Sequence, residues 1–328
     1  MAKVSVLGAG GFGIALAINS EKCGHEVVVW SAFSEEIDIL IRDGEHKKLL
    51  PGVKISKDIK FTTDLEMIRN SDVVIYAIPS KFLRKVACDA CEYIDKKSII
   101  VNVGKGLEEG TYKRLSEVLS EENPNNSVVI ISGPSHAEEV ARGLPTTVLA
   151  ASSDKAAAEY VQKELSNSLF RIYASDDIIG CELGGALKNA IALCAGICDG
   201  IGYGDNTKAA LMTRGISEIA RLGTALGGKL ETFFGLSGIG DLIVTCTSMH
   251  SRNRRAGILI GEGTSPEEAV KQIGTVEGYG CAKVAYELSK KANVNMPIIE
   301  ELYDVLYNGA DPKKSVEVLM NRPHKSEH

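Results

Sequence analysis

The sequence predicts an α/β protein in which a doubly wound parallel sheet is followed by an all-helical domain. Residues 1–178 alternate short apolar runs with polar stretches of helical length, the pattern of strands covered by helices on both faces. Residues 179–328 instead carry long stretches of helical period and few β-branched blocks. The chain has 328 residues, of which 44% are hydrophobic, so two cores are expected, one in each of these two domains.

Seven apolar runs in the first domain are predicted to be strands. They are Val4 to Leu7, Val27 to Trp30, Val73 to Ala77, Ile99 to Val103, Val128 to Ser132, Thr147 to Ala151 and Phe170 to Tyr173. In the second domain, spacings of four, four, three and four residues predict one helix face formed by Leu183, Leu187, Ile191, Cys194 and Cys198. No long linker lies near residue 178, so a ligand cleft between the domains is expected.

Composition and charge exclude several classes of protein. The formal net charge is -6 at pH 7, the wrong sign for non-specific attraction to nucleic acid or to an anionic membrane. The nearest approach to a membrane span, Ala190 to Cys198, is interrupted by Gly196, and the first strand begins too close to Met1 for a signal peptide. We therefore expect a soluble, cytoplasmic protein with no nucleic-acid partner and no membrane insertion.

The cysteines do not predict a disulfide framework, because eight are too few for a chain of this length. Cys88 and Cys91 have the spacing of a redox or metal motif, but neither a second pair nor a nearby histidine accompanies them. Buried free thiols are the preferred interpretation, and no metal site is predicted.

A glycine-rich turn follows the first predicted strand. Gly8, Gly10 and Gly13 form the pattern G-x-G-x-x-G, followed by a predicted helix from Phe12 to Cys23 and by the second strand. In such a unit the glycines allow a tight turn, a close approach to a pyrophosphate and packing of helix on strand, while the helix N-terminus offers N–H groups to phosphates. The sequence thus predicts a Rossmann-type dinucleotide-binding domain, with an ordinary glycine turn as the alternative.

The second strand lacks the acidic residue that commonly binds a ribose 2′-hydroxyl, because Trp30 is followed by Ser31 to Phe33. Glu35 and Glu36 lie too far along the chain to be secure substitutes, and no Arg stands there to bind a 2′-phosphate. We predict that NAD and NADP both bind, with affinities less than about a hundredfold apart, or about 2.7 kcal/mol.

Polar residues follow the fourth and fifth predicted strands. Lys105 lies between two glycines, and Ser135 follows the strand that ends at Ser132. Ligands bind at the carboxyl edge of open α/β sheets, where both residues are expected. Ser135 is also expected to cap the next helix, whose N-terminus favours anions. The alternatives are a solvated lysine and a turn without a ligand.

Lys188 interrupts an otherwise apolar helix. Its neighbours three, four and seven positions away are mostly small and include no carboxylate; they are Gly184, Gly185, Ile191, Ala192 and Ala195. A partly desolvated ammonium with open space beside it suits a general acid/base, whereas the alternative is a lysine that extends to solvent. Asn189 is suited to hydrogen-bond a substrate oxygen.

Three arginines lie between residues 252 and 255, in the first turn of a predicted helix. Positive charge there opposes the helix dipole by about 0.3 to 1 kcal/mol per exposed residue, so either a bound phosphate or a packed acidic patch is expected. Upstream, a glycine-rich loop ends at Asp241, and Thr245 follows. Asp241 is expected either to orient Lys188 or to cap its own helix.

Taken together, these motifs resemble the bacterial NAD(P)-dependent glycerol-3-phosphate dehydrogenases, from about residue 3 to about residue 320. The motifs are Gly8 to Gly13, Gly104 to Glu108, Ile131 to Pro134, Leu183 to Asn189, Gly238 to Leu242, Ser251 to Arg255 and Val276 to Gly278. The resemblance implies hydride transfer between NAD(P)H and dihydroxyacetone phosphate, giving sn-glycerol 3-phosphate for phospholipid synthesis.

The resemblance also implies roles for individual residues. Lys188 matches the general acid/base, which protonates the carbonyl oxygen during reduction. The substrate-binding positions are Lys105, Gly133, Ser135, Lys188, Asn189, Asp241, Thr245, Ser251, Arg252 and Asn253. The cofactor-binding positions are Gly8, Gly10, Gly11, Phe12, Gly13, Ala32, Lys105, Ala137, Arg252, Val276 and Glu277. Gly11 and Ala32 depart from the polar or longer side chains that other members carry there.

Two other functions remain open from the sequence. One is a dehydrogenase of the same architecture that acts on a sugar acid or a branched hydroxy acid, and the other is a non-catalytic NAD(H)-binding redox sensor. Lys105 and Arg252 favour a small phosphorylated substrate, and we expect them to converge with Lys188. The sequence does not determine the oligomeric state, for which a homodimer is the working hypothesis.

Overall fold

An eight-stranded sheet dominates the first part of the chain in the computed structural model, which describes residues 1–324, 326 and 327. The strands are β1 (Lys3–Leu7), β2 (Glu26–Trp30), β3 (Lys60–Thr62), β4 (Val73–Tyr76), β5 (Ile99–Asn102), β6 (Val128–Ser132), β7 (Thr146–Ala151) and β8 (Phe170–Ser175). Their order is β3-β2-β1-β4-β5-β6-β7-β8. The first six strands in that order are parallel, so the doubly wound sheet is confirmed, with its switch point between β1 and β4.

Two features of the sheet differ from the sequence prediction. The strand β3 was not predicted, because Lys60 is exposed, Phe61 and Thr62 are only partly buried, and the three form no apolar run. The sheet is also not wholly parallel, since β7 pairs antiparallel with β6 and parallel with β8. An apolar run indicates burial but carries no information about strand direction.

Helices cover both faces of this sheet. They are α1 (Gly11–Lys22), α2 (Ser34–Asp43), α3 (Ser80–Ala90), α4 (Leu115–Glu122), α5 (Ala137–Arg142) and α6 (Lys155–Leu165). Successive strand residues face opposite sides, so Val73 and Ile75 join one apolar core while Val74 and Tyr76 join another. Burial on both sides explains why these strands are apolar throughout.

The second part of the chain is helical, as predicted. Its helices are α7 (Ile178–Ile201), α8 (Asp205–Ala225), α9 (Leu230–Phe233), α10 (Asp241–Thr247), α11 (Arg252–Gly261), α12 (Pro266–Ile273), α13 (Glu277–Lys291), α14 (Pro297–Tyr307) and α15 (Pro312–Met320). A π-helical turn, Leu236–Gly240, directly precedes α10. The chain divides into two compact units, Met1–Glu182 and Leu183–His328.

A close contact between α7 and α11 explains two glycines of α7, Gly196 and Gly200, that belong to none of the sequence motifs. A Cβ on Gly196 would lie 2.0 Å from the carbonyl oxygen of Arg254, and one on Gly200 would lie 2.2 Å from that of Ile258. Reciprocally, a Cβ on Gly257 would lie 2.2 Å from the carbonyl oxygen of Leu193. Glycine on both helices is therefore required for the two backbones to touch.

Two described segments, Ile178–Ile201 and Leu230–Thr247, have the length and mean hydropathy of a membrane span. In the first, 89% of the most apolar window is buried within the protein, as expected of a core helix. The second is composed of α9, the π-helical turn and α10 and contains the buried Asp241. Length and composition are thus weak evidence for a span in either segment.

The cysteines are free thiols, but the prediction of burial is wrong for two of them. Cys88 and Cys91 are exposed, at the end of α3 and directly after it, whereas Cys194 and Cys198 on α7 are buried. Cys88 lies on the solvent side of the amphipathic helix α3, whose buried positions are Leu83, Ala87 and Ala90, and Cys91 lies in the short turn that follows. Within the described ranges, no group of three or more His, Cys, Asp or Glu side chains is placed to hold a metal ion.

Candidate active site

The turn between β1 and α1 has a backbone that requires glycine at two positions. Gly8 has a φ of +112°, and a Cβ on Gly13 would lie 2.0 Å from the carbonyl oxygen of Gly8, so both positions need glycine. A Cβ on Gly10 would meet nothing within 4 Å, so open space adjoins the turn there. The first turn of α1 has no acidic residue and no side-chain cap, so its backbone N–H groups can bind a phosphate.

The end of β2 carries an acidic side chain that sequence reasoning set aside. Ser31 follows β2 and donates a 2.6 Å hydrogen bond from its Oγ to Oε2 of Glu36. The nearby His46 imidazole, whose Nε2 lies 3.8 Å from Oε1 of Glu36, is the main reason that the pKa of Glu36 is lowered, and the hydrogen bond from Ser31 adds to it. Helix α2 begins at Ser34, so its first turn brings this carboxylate back to the strand end, where a cofactor ribose lies in this fold.

Lys105, Gly133 and Ser135 meet at the carboxyl edge of the sheet, beyond β5 and β6. The Lys105 Nζ donates to the carbonyl oxygen of Gly133 at 2.9 Å, and the Ser135 Oγ donates to the same oxygen at 3.0 Å. Gly133 has a φ of +141°, which favours glycine, and a Cβ added there would lie 3.1 Å from the Cα of Val148. Three of the sequence-predicted substrate residues are therefore brought together within the first unit.

The loop that carries Lys105 is held by an arginine. Arg84 on α3 binds both carboxylate oxygens of Glu108, at 2.7 and 2.8 Å, and also pairs with Glu121 and Glu122 on α4. This network fixes the segment three residues beyond Lys105 to two helices.

The expected helix cap at Ser135 is wrong. Helix α5 begins at Ala137 with His136 in the capping position, and Ser135 uses its hydroxyl to donate to Gly133 instead. The helix starts later than the sequence suggested, since the backbone at His136 is still extended and becomes helical only at Ala137. Ala137 itself adjoins the glycine turn, since its Cβ lies 3.5 Å from where a Cβ on Gly11 would be.

Lys188 forms a buried ion pair in the second unit. Its Nζ lies 2.9 Å from Oδ1 of Asp241 and donates a 2.6 Å hydrogen bond to Oγ1 of Thr245. Thr245 in turn donates to the carbonyl oxygen of Asp241 at 2.6 Å. Lys188 is 4% exposed and Asp241 is 1% exposed, so the lysine does not extend to solvent. Of the two roles considered for Asp241, orientation of Lys188 is the one observed.

The partner of Lys188 comes from tertiary structure, since its neighbours along α7 include no carboxylate. The small residues of α7 were expected to leave open space beside Lys188. Instead, they allow another segment of backbone to pack against the helix. A Cβ on Gly184 would lie 2.9 Å from the carbonyl oxygen of Ser237, and one on Gly238 would lie 2.0 Å from that of Phe233. The π-helical turn therefore packs directly on α7 and delivers Asp241 to Lys188.

Asn189, Asn253 and Gly278 form a second buried group in this unit. Asn253 donates from Nδ2 to Oδ1 of Asn189 at 3.0 Å, and the backbone N–H of Gly278 donates to Oδ1 of Asn253 at 2.8 Å. Gly278 belongs to one of the sequence motifs, but it was not among the predicted site residues. Val276 and Glu277, predicted on the cofactor side, lie immediately before it at the start of α13.

The arginine cluster divides into separate roles. Arg254 is bound by Asp199 at 2.7 Å, and Asp199 also pairs with Lys208 at 2.7 Å, so an acidic partner explains this arginine. Ser251 caps α11 by accepting from the backbone N–H of Arg254. Arg252 is exposed at the first position of the helix and has no ion pair within the described part of the chain. Arg255 is likewise exposed and has no ion pair among the described residues, so the acidic partner accounts for Arg254 alone, and Arg252 and Arg255 are both available to an external anion.

Known protein families match the sequence of both units. Residues 3–158 match the family model of the NAD-dependent glycerol-3-phosphate dehydrogenase N-terminus, and residues 177–317 match that of its C-terminus. Glycerol-3-phosphate dehydrogenase [NAD(P)+] of Desulfitobacterium hafniense is 51% identical over 328 residues, covering 100% of this chain and 93% of the relative. The enzyme of that name from Clostridium perfringens is also 51% identical, over 329 residues, covering 100% of this chain and 99% of the relative.

A solved structure extends the comparison to the fold. The crystal structure of glycerol-3-phosphate dehydrogenase from Coxiella burnetii is similar with a TM-score of 0.93 and 36% sequence identity. The similarity covers 98% of this chain and 99% of that one.

Proposed function

Since this chain belongs to the NAD-dependent glycerol-3-phosphate dehydrogenase family, we propose that it catalyses reversible hydride transfer between NAD(P)H and dihydroxyacetone phosphate, giving sn-glycerol 3-phosphate. The observation that carries the chemistry is the buried ion pair of Lys188 with Asp241. The same residues catalyse the reverse reaction, in which sn-glycerol 3-phosphate is oxidised.

Lys188 is the proposed general acid/base. During reduction, carbon 2 of the ketone receives the hydride that the nicotinamide supplies, the carbonyl electron pair moves to oxygen, and a proton passes from the Lys188 ammonium to that oxygen. Asp241 and Thr245 hold the ammonium in place, and the Asp241 carboxylate favours its charged form. The neutral amine then takes up a proton from the solvent, so that one proton is consumed for each ketone reduced, which completes the cycle.

The remaining residues bind substrate and cofactor in this proposal. Lys105, Gly133, Ser135, Asn189, Ser251 and Arg252 serve the substrate directly, with Arg252 and Lys105 as cationic contacts to its phosphate, and Asn253 adjoins this group through its hydrogen bond to Asn189. The glycine turn with Phe12, Ala32, Ala137, Val276 and Glu277 serves the cofactor. The open space beside Gly10 and the uncapped start of α1 support a pyrophosphate there.

The cellular setting follows from the same proposal. A dehydrogenase that supplies glycerol 3-phosphate for phospholipid synthesis would act in the cytoplasm, on a small phosphorylated substrate. A homodimer is the proposed assembly, which sedimentation of the purified protein tests.

An absorbance assay with dihydroxyacetone phosphate and either NADH or NADPH tests the function. We expect oxidation of both cofactors, and no oxidation of either would reject the proposed reaction. Lys188→Ala should abolish turnover while NADH affinity stays nearly unchanged, whereas a redox sensor would have no need of Lys188. The exposed Lys85→Ala is the matched control and should retain activity.

Arg252→Ala separates substrate binding from chemistry. If Arg252 binds the substrate phosphate, this variant should raise the KM for dihydroxyacetone phosphate with a much smaller change in kcat. An unchanged KM would remove Arg252 from the phosphate site. A preference for hydroxy acids without a phosphate group would favour the other dehydrogenase class.

A further inference from the structure

The buried group of Asn189, Asn253 and Gly278 has a defined hydrogen-bond direction. A backbone N–H can only donate, so the Gly278 N–H, 2.8 Å away, requires the oxygen of the Asn253 amide to face it. The NH2 of Asn253 then faces Asn189 and donates to its Oδ1 at 3.0 Å. Asn189 is thereby oriented with Nδ2 as its remaining polar atom, and Nδ2 makes no hydrogen bond within the described residues.

The fixed end of this chain of hydrogen bonds is built into the start of α13. Gly278 is the second residue of that helix, so its N–H has no acceptor within the helix, and Val276 in the capping position offers none. A Cβ on Gly278 would lie 2.4 Å from the carbonyl oxygen of Asn189 and 3.0 Å from Oδ1 of Asn253. Glycine is therefore needed for α13 to approach α7 and α11 closely enough to make the contact.

We propose that Asn253 is a positioning residue that acts through Asn189, holding the Asn189 amide so that its NH2 group is presented to an oxygen of the bound substrate. The proposal rests on the proposed function, because Asn189 follows the general acid/base Lys188 on α7. Asn189 is 4% exposed and Asn253 is 8% exposed, so water competes little for their amide groups.

The direction of the Asn189 amide matters because its two ends are chemically opposite. The NH2 end donates to a ketone or alkoxide oxygen, whereas the carbonyl end would place two acceptors against each other. Without Asn253, the Asn189 side chain is free to rotate and presents the wrong end for part of the time. Asn253 thus removes that rotation before the substrate binds.

A double-mutant cycle on kcat/KM for dihydroxyacetone phosphate tests the proposal. Asn189→Ala and Asn253→Ala are each expected to lower kcat/KM by about tenfold or more, and the double variant to be no worse than about threefold below Asn189→Ala. The affinity for NADH, and the NADH concentration that saturates turnover, should stay close to the wild-type values. Losses that multiply in the double variant would overturn the proposal, because Asn253 would then act independently of Asn189.

Asn189→Asp provides a test that does not depend on losing a buried side chain. The Asp keeps an oxygen to accept from Asn253 but replaces the outward NH2 with a second oxygen. We expect a folded protein with a melting temperature near wild type and a kcat/KM reduced at least as much as in Asn189→Ala. Wild-type kcat/KM in Asn189→Asp would show that no outward donor is needed and would reject the proposal.

The first unit offers a matched control for the cost of breaking an amide pair. Asn167 donates from Nδ2 to Oδ1 of Asn19 at 2.8 Å, and Asn19 donates to the carbonyl oxygen of Leu165. Asn167→Ala should lower the melting temperature but leave kcat/KM within about twofold of wild type. A comparable loss of kcat/KM in this control would mean that general destabilisation explains the Asn253 result.

Turnover by the wild-type enzyme distinguishes failure of the proposed function from failure of the positioning role of Asn253. No turnover of dihydroxyacetone phosphate by the wild type would reject the proposed function and, with it, the role given to Asn253. Wild-type turnover combined with multiplicative losses would reject the positioning role alone.

Discussion

The carboxylate of Glu218 on α8 accepts hydrogen bonds from the backbone N–H of Ile298, at 3.0 and 3.1 Å, and so caps the first turn of α14. Glu218 is 2% exposed, and burial raises its pKa from the ordinary 4.5 to about 7. The hydrogen bonds from the Ile298 and Ile299 N–H groups, and the charges of Arg221 and Arg322, oppose that rise without cancelling it. A structural carboxyl group that titrates near neutrality therefore lies at a helix start.

Glu218 predicts a pH dependence of stability with a definite sign. The folded state holds the proton up to about pH 7 and the unfolded state only up to about 4.5, so between these values the folded state binds more protons. The free energy of unfolding should therefore fall as pH rises through this window, by at most about 3 kcal/mol from this group, and level off above it. Urea unfolding of wild type and Glu218→Gln at several pH values checks this, and parallel pH profiles for the two proteins would contradict it.

Asp241→Asn should damage both stability and catalysis, because it leaves the Lys188 ammonium buried without a counter-charge. Breaking a buried pair typically costs about 3 to 5 kcal/mol, and we expect kcat to fall by about a hundredfold or more. Urea unfolding and steady-state kinetics measure the two effects. Glu300→Gln, which breaks the exposed Lys290 pair, is the control and should change neither by much. Retention of full activity by Asp241→Asn would contradict the orienting role of Asp241.

Gly196→Ala should loosen the contact between α7 and α11. The added Cβ would lie 2.0 Å from a backbone carbonyl oxygen, so the helices must separate, and we expect a loss of about 1 to 3 kcal/mol. Gly280→Ala on α13 is the matched control, because its Cβ would meet nothing within 4 Å. The control should gain about 0.5 to 1 kcal/mol from helix propensity. Equal effects of the two substitutions in urea unfolding would refute the packing explanation.

Glu36→Gln should shift cofactor preference towards NADPH. The Glu36 carboxylate, held by Ser31 at the end of β2, would repel a 2′-phosphate and accept from a 2′-hydroxyl. We expect the ratio of kcat/KM for NADPH to that for NADH to rise several-fold, about 1 kcal/mol in discrimination. Glu35→Gln, one residue earlier on the same helix turn and exposed, should leave the ratio unchanged. An unaltered ratio in Glu36→Gln would place this carboxylate away from the ribose.

Most of the architecture could be predicted from the sequence because its signals are local. Runs such as Val73 to Tyr76 are buried on both faces and therefore apolar throughout, and the helical spacing on α7 is equally direct. The strand β3 was missed because its residues are partly exposed, and the reversed direction of β7 was missed because burial does not encode direction. The exposure of Cys88 and Cys91 depends on which helix face meets the sheet.

By itself, the sequence determined the identity of the chemical groups: a glycine turn that only glycine can adopt, a lysine in an apolar helix, and amides and arginines at helix starts. Tertiary structure alone decided their partners. Asp241 neutralises Lys188 although the two lie 53 positions apart in the sequence. They meet because glycines on α7 and on the π-helical turn let these two segments pack closely. Arg254 is satisfied by Asp199 while Arg252 stays exposed, and a backbone N–H at Gly278 fixes the direction of two amide side chains. Hydrogen bonds and ion pairs depend on distances of about 3 Å, and those distances are set by packing rather than by sequence spacing.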